Sequence, residues 1–244
     1  MFSKKLNQRP VLIVLIILLA ACCVPVLGLA DVNDELQQGL AAYKQRDYAK
    51  ALAYLRPLAE QGVPEAQRKL GVMYRHGLGV KKNDAVAIEW YRKAAERGHV
   101  KAQNSLGIMY RFGLGVGKDS KQAAKWLMAA AEQGNAKGQE NVGMLYLDGE
   151  GVPQNDKKAV YWLNKAASQG QMKAQLTLGV MTLAGKGIRK DEKQGMLWIK
   201  QSANKGYPQA AEALAKAYAE GLYGVEQDLR QARYWYQRAG KKFQ

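Results

Sequence analysis

Beyond residue 30 the sequence contains no cysteine; its two, Cys22 and Cys23, both lie near the N-terminus of a 244-residue chain. No disulfide can staple the body, and no thiolate is available there as a nucleophile or metal ligand, so packing alone must hold it. Histidine is almost as scarce. His76 and His99 are the only two, and no metal-spaced cluster or Ser-x-x-Lys accompanies either, which leaves no convergent set of titratable groups for catalysis. Proline is limited to six residues, and no long Pro/Ser stretch marks a linker or a second domain. Only one long apolar run exists, Val11 to Val24. Acidic residues are few: 21 Asp and Glu stand against 37 Lys and Arg, for a net charge of +16.

The apolar run belongs to a segment built for export. Lys4, Lys5 and Arg9 form a positive head, Pro25 closes the run, and Gly28-Leu29-Ala30 supplies small residues at the positions a signal peptidase inspects. Three readings compete. The segment is cleaved after Ala30; or Leu19-Ala20-Ala21-Cys22, which resembles a lipobox, leads to lipidation at Cys22; or Val11 to Ala30, twenty residues long, stays as an uncleaved anchor. The expected location is therefore outside the cytoplasm, with the periplasm as the leading reading and lipid-anchored or inner-membrane-anchored forms as the others. Without Lys4, Lys5 and Arg9 the body keeps 34 basic and 21 acidic residues, a net +13 (34 minus 21).

That imbalance attracts anionic partners at long range: acidic protein faces, anionic lipid, polysaccharide or nucleic acid. Its plainest alternative is that many lysines and arginines simply solvate helix faces. For nucleic acid in particular the basic residues show no aromatic interleaving of the kind that stacks single-stranded bases, and export would carry the body away from the nucleic acid of the cell.

What the sequence has in abundance is repetition. Blocks of 36 residues begin at Ala66, Ala102, Gly138, Ala174 and Ala210. Gly71, Gly107, Gly143 and Gly179 share a column, as do Gly77, Gly113, Gly149 and Gly185, and Gly79, Gly115, Gly151 and Gly187. Trp90, Trp126, Trp162 and Trp198 form another, and the fifth block recovers Trp235 after a turn one residue longer, "EGLYGV". A constant period of this length is the mark of a repeat architecture. Within a block, Ala66, Leu70, Met73 and Tyr74 fall on one face of a helix, and Ala87, Trp90 or Tyr91, Ala94 and Ala95 on one face of a second. The pattern predicts two helices of about a dozen residues per unit. Asp84, Ser120 and Asp156 are expected to cap the second helix, and Gly98 and its equivalents to end it in a left-handed conformation. The Trp column is expected to be the main core anchor.

"GLGVGKDS" from Gly113 resembles a phosphate loop at first sight. It has the wrong spacing before Gly117-Lys118, has Asp119 where Ser or Thr is needed, and follows no strand. Gly77 and Gly79 read instead as a turn at positive φ.

Leu-Gly-x-Met-Tyr, Gly-x-Gly-Val, an Asp, then Trp-x-x-x-Ala-Ala and Gly resembles the Sel-1-like repeat, a relative of the tetratricopeptide repeat. The resemblance covers five units, 66–101, 102–137, 138–173, 174–209 and 210–244. Residues 31–65, with "AYKQRDYAKALAYL", look like a partial sixth unit of more tetratricopeptide-like form. It implies an all-α fold, an αα-hairpin solenoid wound as a right-handed superhelix, and a non-enzymatic adaptor that holds other proteins together, often at a bacterial envelope. No cofactor and no metal is implied. One cysteine-rich branch of the family is linked to penicillin binding; its disulfide-forming cysteines are missing here, and that hydrolase-type activity is not carried over.

The resemblance also places a binding groove on the first helices, between the core columns. The candidate groove residues are Arg68, Lys69, Val72 and Arg75 in one unit; Lys101, Asn104, Ile108, Arg111 and Phe112 in the next; Lys137, Asn141, Met144 and Leu147 in the third; and Lys173 and Val180 in the fourth. Cations beside an apolar stripe suit an acidic or amphipathic peptide, because arginine reads carboxylates bidentately. The competing reading treats the stripe as packing and the lysines as solvated; another alternative is an anionic envelope polysaccharide, nucleic acid or membrane surface as ligand. At the end of the array Tyr234, Trp235 and Tyr236 have no polar capping helix after them, which raises a homodimer through the C-terminal helix.

Overall fold

The computed structural model describes residues 29–242; the export segment up to residue 28, with Cys22 and its lipidation reading, lies outside the described residues. Among the described residues there are twelve helices and no strand. They are α1 (Leu29–Lys44), α2 (Tyr48–Glu60), α3 (Pro64–His76), α4 (Asp84–Glu96), α5 (Val100–Phe112), α6 (Ser120–Glu132), α7 (Ala136–Asp148), α8 (Asp156–Ser168), α9 (Met172–Ala184), α10 (Glu192–Asn204), α11 (Pro208–Glu220) and α12 (Leu229–Arg238). Each packs against the helix before it and the helix after it, so six αα-hairpins stack in chain order, as a solenoid of nearest-neighbour units requires. None of these helices is long and apolar enough to cross a membrane.

The caps sit one residue earlier than the sequence suggested. Asn83, Asp119, Asn155 and Asp191 precede α4, α6, α8 and α10, and their side chains accept from the backbone N–H of Val86, Gln122, Lys158 and Gln194. A cap must be extended so that its oxygen can turn back to the third helical N–H; Asn83, at φ −154° and ψ 100°, meets that condition. Asp84, Ser120 and Asp156 are the first helical residues instead, where Asp84 and Asp156 still place negative charge against the positive helix end. The turn glycines behave as expected: Gly77 and Gly79 have φ of 68° and 69°, and Gly98 has φ of 81°.

Two glycine columns matter for stacking. Gly71, Gly107, Gly143 and Gly179 lie where the two helices of a unit cross. A Cβ at Gly107 or Gly143 would come within 2.6 Å of Leu127 Cγ or Leu163 Cγ, closer than any carbon pair tolerates. Gly115 and Gly151 rest on the first residues of the preceding second helix, against the backbone of Asp84 and Ser120.

The core corrects the expectation about tryptophan. Trp90, Trp126, Trp162 and Trp198 are only half-buried. The next residue in each helix, Tyr91, Leu127, Leu163 and Ile199, is almost completely buried and packs over the crossing glycines. Trp126 lies at the margin of the cluster formed by α4 and α5, and Trp90 against that of α1 to α3. Only Trp235 is itself buried. Helix phase explains the shift: with 3.6 residues per turn the face centred on Ala87, Ala94 and Ala95 passes through position 91, leaving position 90 at its edge.

A buried polar column runs through the same stack. Gln67, Gln103, Gln139 and Gln175 are 3–6% exposed. Each Nε2 donates to the carbonyl of Ala59, Ala95, Ala131 or Ala167 in the last turn of the preceding second helix. Gln133 and Gln169 donate in turn to Oε1 of Gln103 and Gln139, at 2.7 and 2.8 Å. Where that donor position holds Arg97 or Lys205, the Oε1 of Gln67 or Gln175 has no partner among the described residues.

Candidate protein-binding face

The exposed side of α3, α5, α7 and α9 carries the groove candidates. Lys101, Lys137 and Lys173 are exposed, and none forms an ion pair among the described residues. All three stand in the first turn of their helices, where α5, α7 and α9 have no acidic residue. A cation there opposes the helix dipole at a cost of about 0.3–1 kcal/mol each. The equivalent position in α3 holds Glu65.

Glu65 organises the N-terminal part of the face. Arg68 Nε and Nη2 donate to its two oxygens at 2.8 and 2.6 Å, and His99 Nε2 lies 2.7 Å from Oε2. His99 Nδ1 accepts the N–H of Ala102 and so caps α5, which puts its hydrogen on Nε2, pointing at Glu65. Burial pushes the Glu65 carboxyl up, but the hydrogen bonds of Arg68 and His99 and the charge of Arg68 outweigh it and hold it well below the ordinary carboxylate range. Arg68 is therefore committed to Glu65. Lys69 lies 4.0 Å above the Tyr43 ring, and burial, then the charge of Arg68, lowers its pKa. Arg75 reaches the hydroxyl of buried Tyr91; burial raises that hydroxyl's pKa, against the pull of Arg75 and Arg68.

Further along, Asn141 Nδ2 donates to Asn104 Oδ1 at 3.1 Å, joining α7 to α5. Arg111 turns away to the following unit: its Nε donates to Glu150 at 2.7 Å and Nη2 lies 3.5 Å from Asp148. Burial raises the Glu150 carboxyl, but Arg111 and then Lys118 outweigh it and lower its pKa. Beside Arg111, Phe112 is 63% exposed. Glu140 lies near Lys137 and Lys173 and accepts the N–H of Ala174; burial still pushes its carboxyl above the ordinary range. In the apolar stripe, Val72, Ile108 and Met144 are half-buried, as is Leu147, while Val180 is 50% exposed.

Among the described residues Lys101, Lys137, Lys173 and Arg75 form no ion pair on this face, although Glu140 lies near Lys137 and Lys173, whereas Arg68 is tied to Glu65 of its own helix and Arg111 to Glu150 of the following unit. Sequence reading offered Tyr91 for the core face but missed its contact with Arg75, and it missed Tyr43 and the glutamine column. The column was visible at the 36-residue period; the tyrosine contacts join residues 26 and 16 apart and leave no periodic trace. It also missed that lysines do sit over aromatic rings on the second helices: Lys93 over Trp90 at 4.4 Å, Lys125 over Trp126 at 5.1 Å and Lys165 over Trp162 at 5.2 Å. No group of three or more His, Cys, Asp or Glu positioned for a metal occurs among the described residues.

The Sel1 repeat profile matches six consecutive stretches: 27–63, 64–99, 100–135, 136–171, 173–207 and 208–242. The chain belongs to the Sel1 repeat family. The stretch read above as a tetratricopeptide-like unit matches the same profile as the other five. Among solved structures, a Sel1 repeat protein from Oxalobacter formigenes is 36% identical, with a TM-score of 0.77 and 86% of each chain covered. The protective antigen c5321 of uropathogenic Escherichia coli, which displays an SLR fold, is 35% identical with a TM-score of 0.79. That match covers 86% of this chain but 45% of the antigen, so this Sel1 repeat protein spans less than half of the antigen's length. No curated protein matches the chain significantly. Sel1 repeat proteins generally mediate contacts between proteins and are generally not enzymes.

Proposed function

We propose that this Sel1 repeat protein is an adaptor outside the cytoplasm whose first-helix face holds an acidic segment of a partner protein. One observation carries the reading. Lys101, Lys137 and Lys173 repeat at 36-residue intervals in helix first turns, unpaired and against the helix dipole. Each weakens its own helix, and each offers three donors to an anion; Glu140, near Lys137 and Lys173, forms no ion pair with either. Arg75, whose contact within the face is to the Tyr91 hydroxyl, adds a planar donor for a carboxylate. The export reading of residues 1–30 supports a setting at the bacterial envelope.

The test is binding of a fluorescein-labelled, 14-residue peptide of glutamate, serine and alanine. Wild-type protein is expected to bind it with an affinity that falls as salt rises, and the Lys101→Gln, Lys137→Gln, Lys173→Gln triple variant to lose that binding. Equal binding by wild type and the triple variant would overturn the reading.

The lysine-covered tryptophans on the second helices favour a second reading, an anionic polysaccharide bound on that face, since sugar rings stack on indole and lysine meets the charge. Replacing Lys93, Lys125 and Lys165 with glutamine would then abolish binding of an anionic polysaccharide and leave the acidic peptide unaffected. Self-association through α12 is disfavoured by charge. Arg230, Arg233 and Arg238 lie on that helix with no acidic residue, and a two-fold interface would set them against their own copies.

A further inference from the structure

The sixth unit departs from the others in two places at once. The buried column Met73, Met109, Leu145, Met181 ends in Ala217, and the turn after α11 is one residue longer. The extra residue, Tyr223, adopts φ of 57°, a left-handed conformation that a bulky side chain adopts at a cost. The earlier turns seat Gly115 and Gly151 on the preceding second helix; Gly224, the counterpart here, touches only the Glu192 carboxylate, at 3.8 Å from where its Cβ would stand. The turn has lifted off α10 and the methionine that would fill the gap is gone.

The result is an open cleft of about 310 Å³ between α9 and α11. Leu183, Met196 and Ile199 line it from below, Val180 and Tyr223 stand half-exposed at its edge, and Lys216 forms part of the wall. Lys216 takes the place that Val72, Ile108, Met144 and Val180 hold in the earlier units, and it forms no ion pair among the described residues. Glu220 stands one turn further along α11. The turn that leaves the wall at Ala184 carries Lys186, Arg189 and Lys190; Lys186 and Lys190 are paired with Asp156 and Glu192, and Arg189 forms no ion pair among the described residues. A cavity of roughly 150 Å³ accepts a benzene, so the cleft has room for two large apolar side chains, with cations around it.

We propose that this cleft anchors two large apolar side chains of the acidic partner segment, with Lys216 meeting one of that segment's carboxylates. The inference rests on the reading of the first-helix face as an acidic-peptide site and adds the sequence feature that the partner must carry.

The experiment compares two labelled 14-residue peptides on the full chain by fluorescence anisotropy: the acidic peptide above and a version with two of its alanines, four apart, replaced by leucine. The leucine peptide is expected to bind at least about tenfold more tightly. Ala217→Met, which restores the column, and Ala213→Leu, which fills the cleft from the α11 wall, should each erase that difference while leaving the alanine peptide's affinity unchanged. If leucine adds nothing, or if both variants keep the tenfold gain, the cleft proposal is overturned and the lysine-face reading stands on its own test; a leucine-dependent gain found together with equal binding of the alanine peptide by wild type and the Lys101, Lys137, Lys173 triple variant sinks the face reading and upholds the cleft.

Discussion

The side chain of Leu127 lies across the backbone of Gly107, so that a Cβ at residue 107 would stand 2.6 Å from Leu127 Cγ. The two helices of the unit approach as closely as a missing side chain allows. A glycine inside a helix ordinarily costs stability relative to alanine, by about 1 kcal/mol. Here the sign reverses. Gly107→Ala should destabilise by about 1–3 kcal/mol through overpacking, and Gly143→Ala likewise, as read from urea unfolding. A gain in stability would show that the helices can part at no cost.

The glutamine column makes a finer prediction. Lys205→Gln should supply the buried Oε1 of Gln175 with the donor that Gln169 gives to Gln139, and raise stability by about 1 kcal/mol. Gln139→Leu should lower it by about 1–3 kcal/mol, since it removes two hydrogen bonds and leaves the Gln169 amide only the Gly134 carbonyl as acceptor. Thermal unfolding of both variants beside wild type checks the pair.

Glu65 and Glu140 should respond to pH with opposite signs. The Glu65 carboxyl is held below its ordinary range, so its stabilisation is complete above about pH 4.3 and is lost as pH falls through its folded value. Glu65→Gln should cost about 1–2 kcal/mol at pH 7, given the pair's partial exposure, and progressively less below pH 4. Glu140 is pushed above its range by burial, so its charge penalises the fold once pH rises through that raised value. Glu140→Gln, which keeps an oxygen for the Ala174 N–H, should therefore gain stability at pH 7 and be neutral at pH 3.

The lysine first turns join stability to binding. Neutralising Lys101, Lys137 and Lys173 together should raise stability by roughly 1–3 kcal/mol at low salt through the helix dipole, while the acidic peptide is lost. A triple variant that is less stable than wild type would mean that the lysines serve the fold itself.

The period made the helices, the turn glycines and the stacking order legible in the sequence, because each is dictated by residues close in the chain and repeated in phase. It did not reveal which neighbour takes each cation. Arg111 pairs with Glu150 and His99 with Glu65, partners 39 and 34 residues apart, and those acids do not recur at the period. The tryptophan column was conspicuous and sits at the edge of the core, whereas the Tyr91, Leu127, Leu163 and Ile199 column beside it varies in type and is almost completely buried. Chemical identity marked one column and helix phase chose the other.

The most direct measurement is site-specific photocrosslinking in intact cells. A photoreactive residue at Ser105 or Thr177, whose hydroxyls bond only to carbonyls of their own helices, samples the first-helix face; one at Asn164 samples the second. One acidic protein is expected to be captured from both first-helix positions and not from Asn164, and to disappear when Lys101, Lys137 and Lys173 are neutralised. Capture from Asn164 alone, or capture that persists in the triple variant, would contradict the first-helix face as the place where this protein holds its partner.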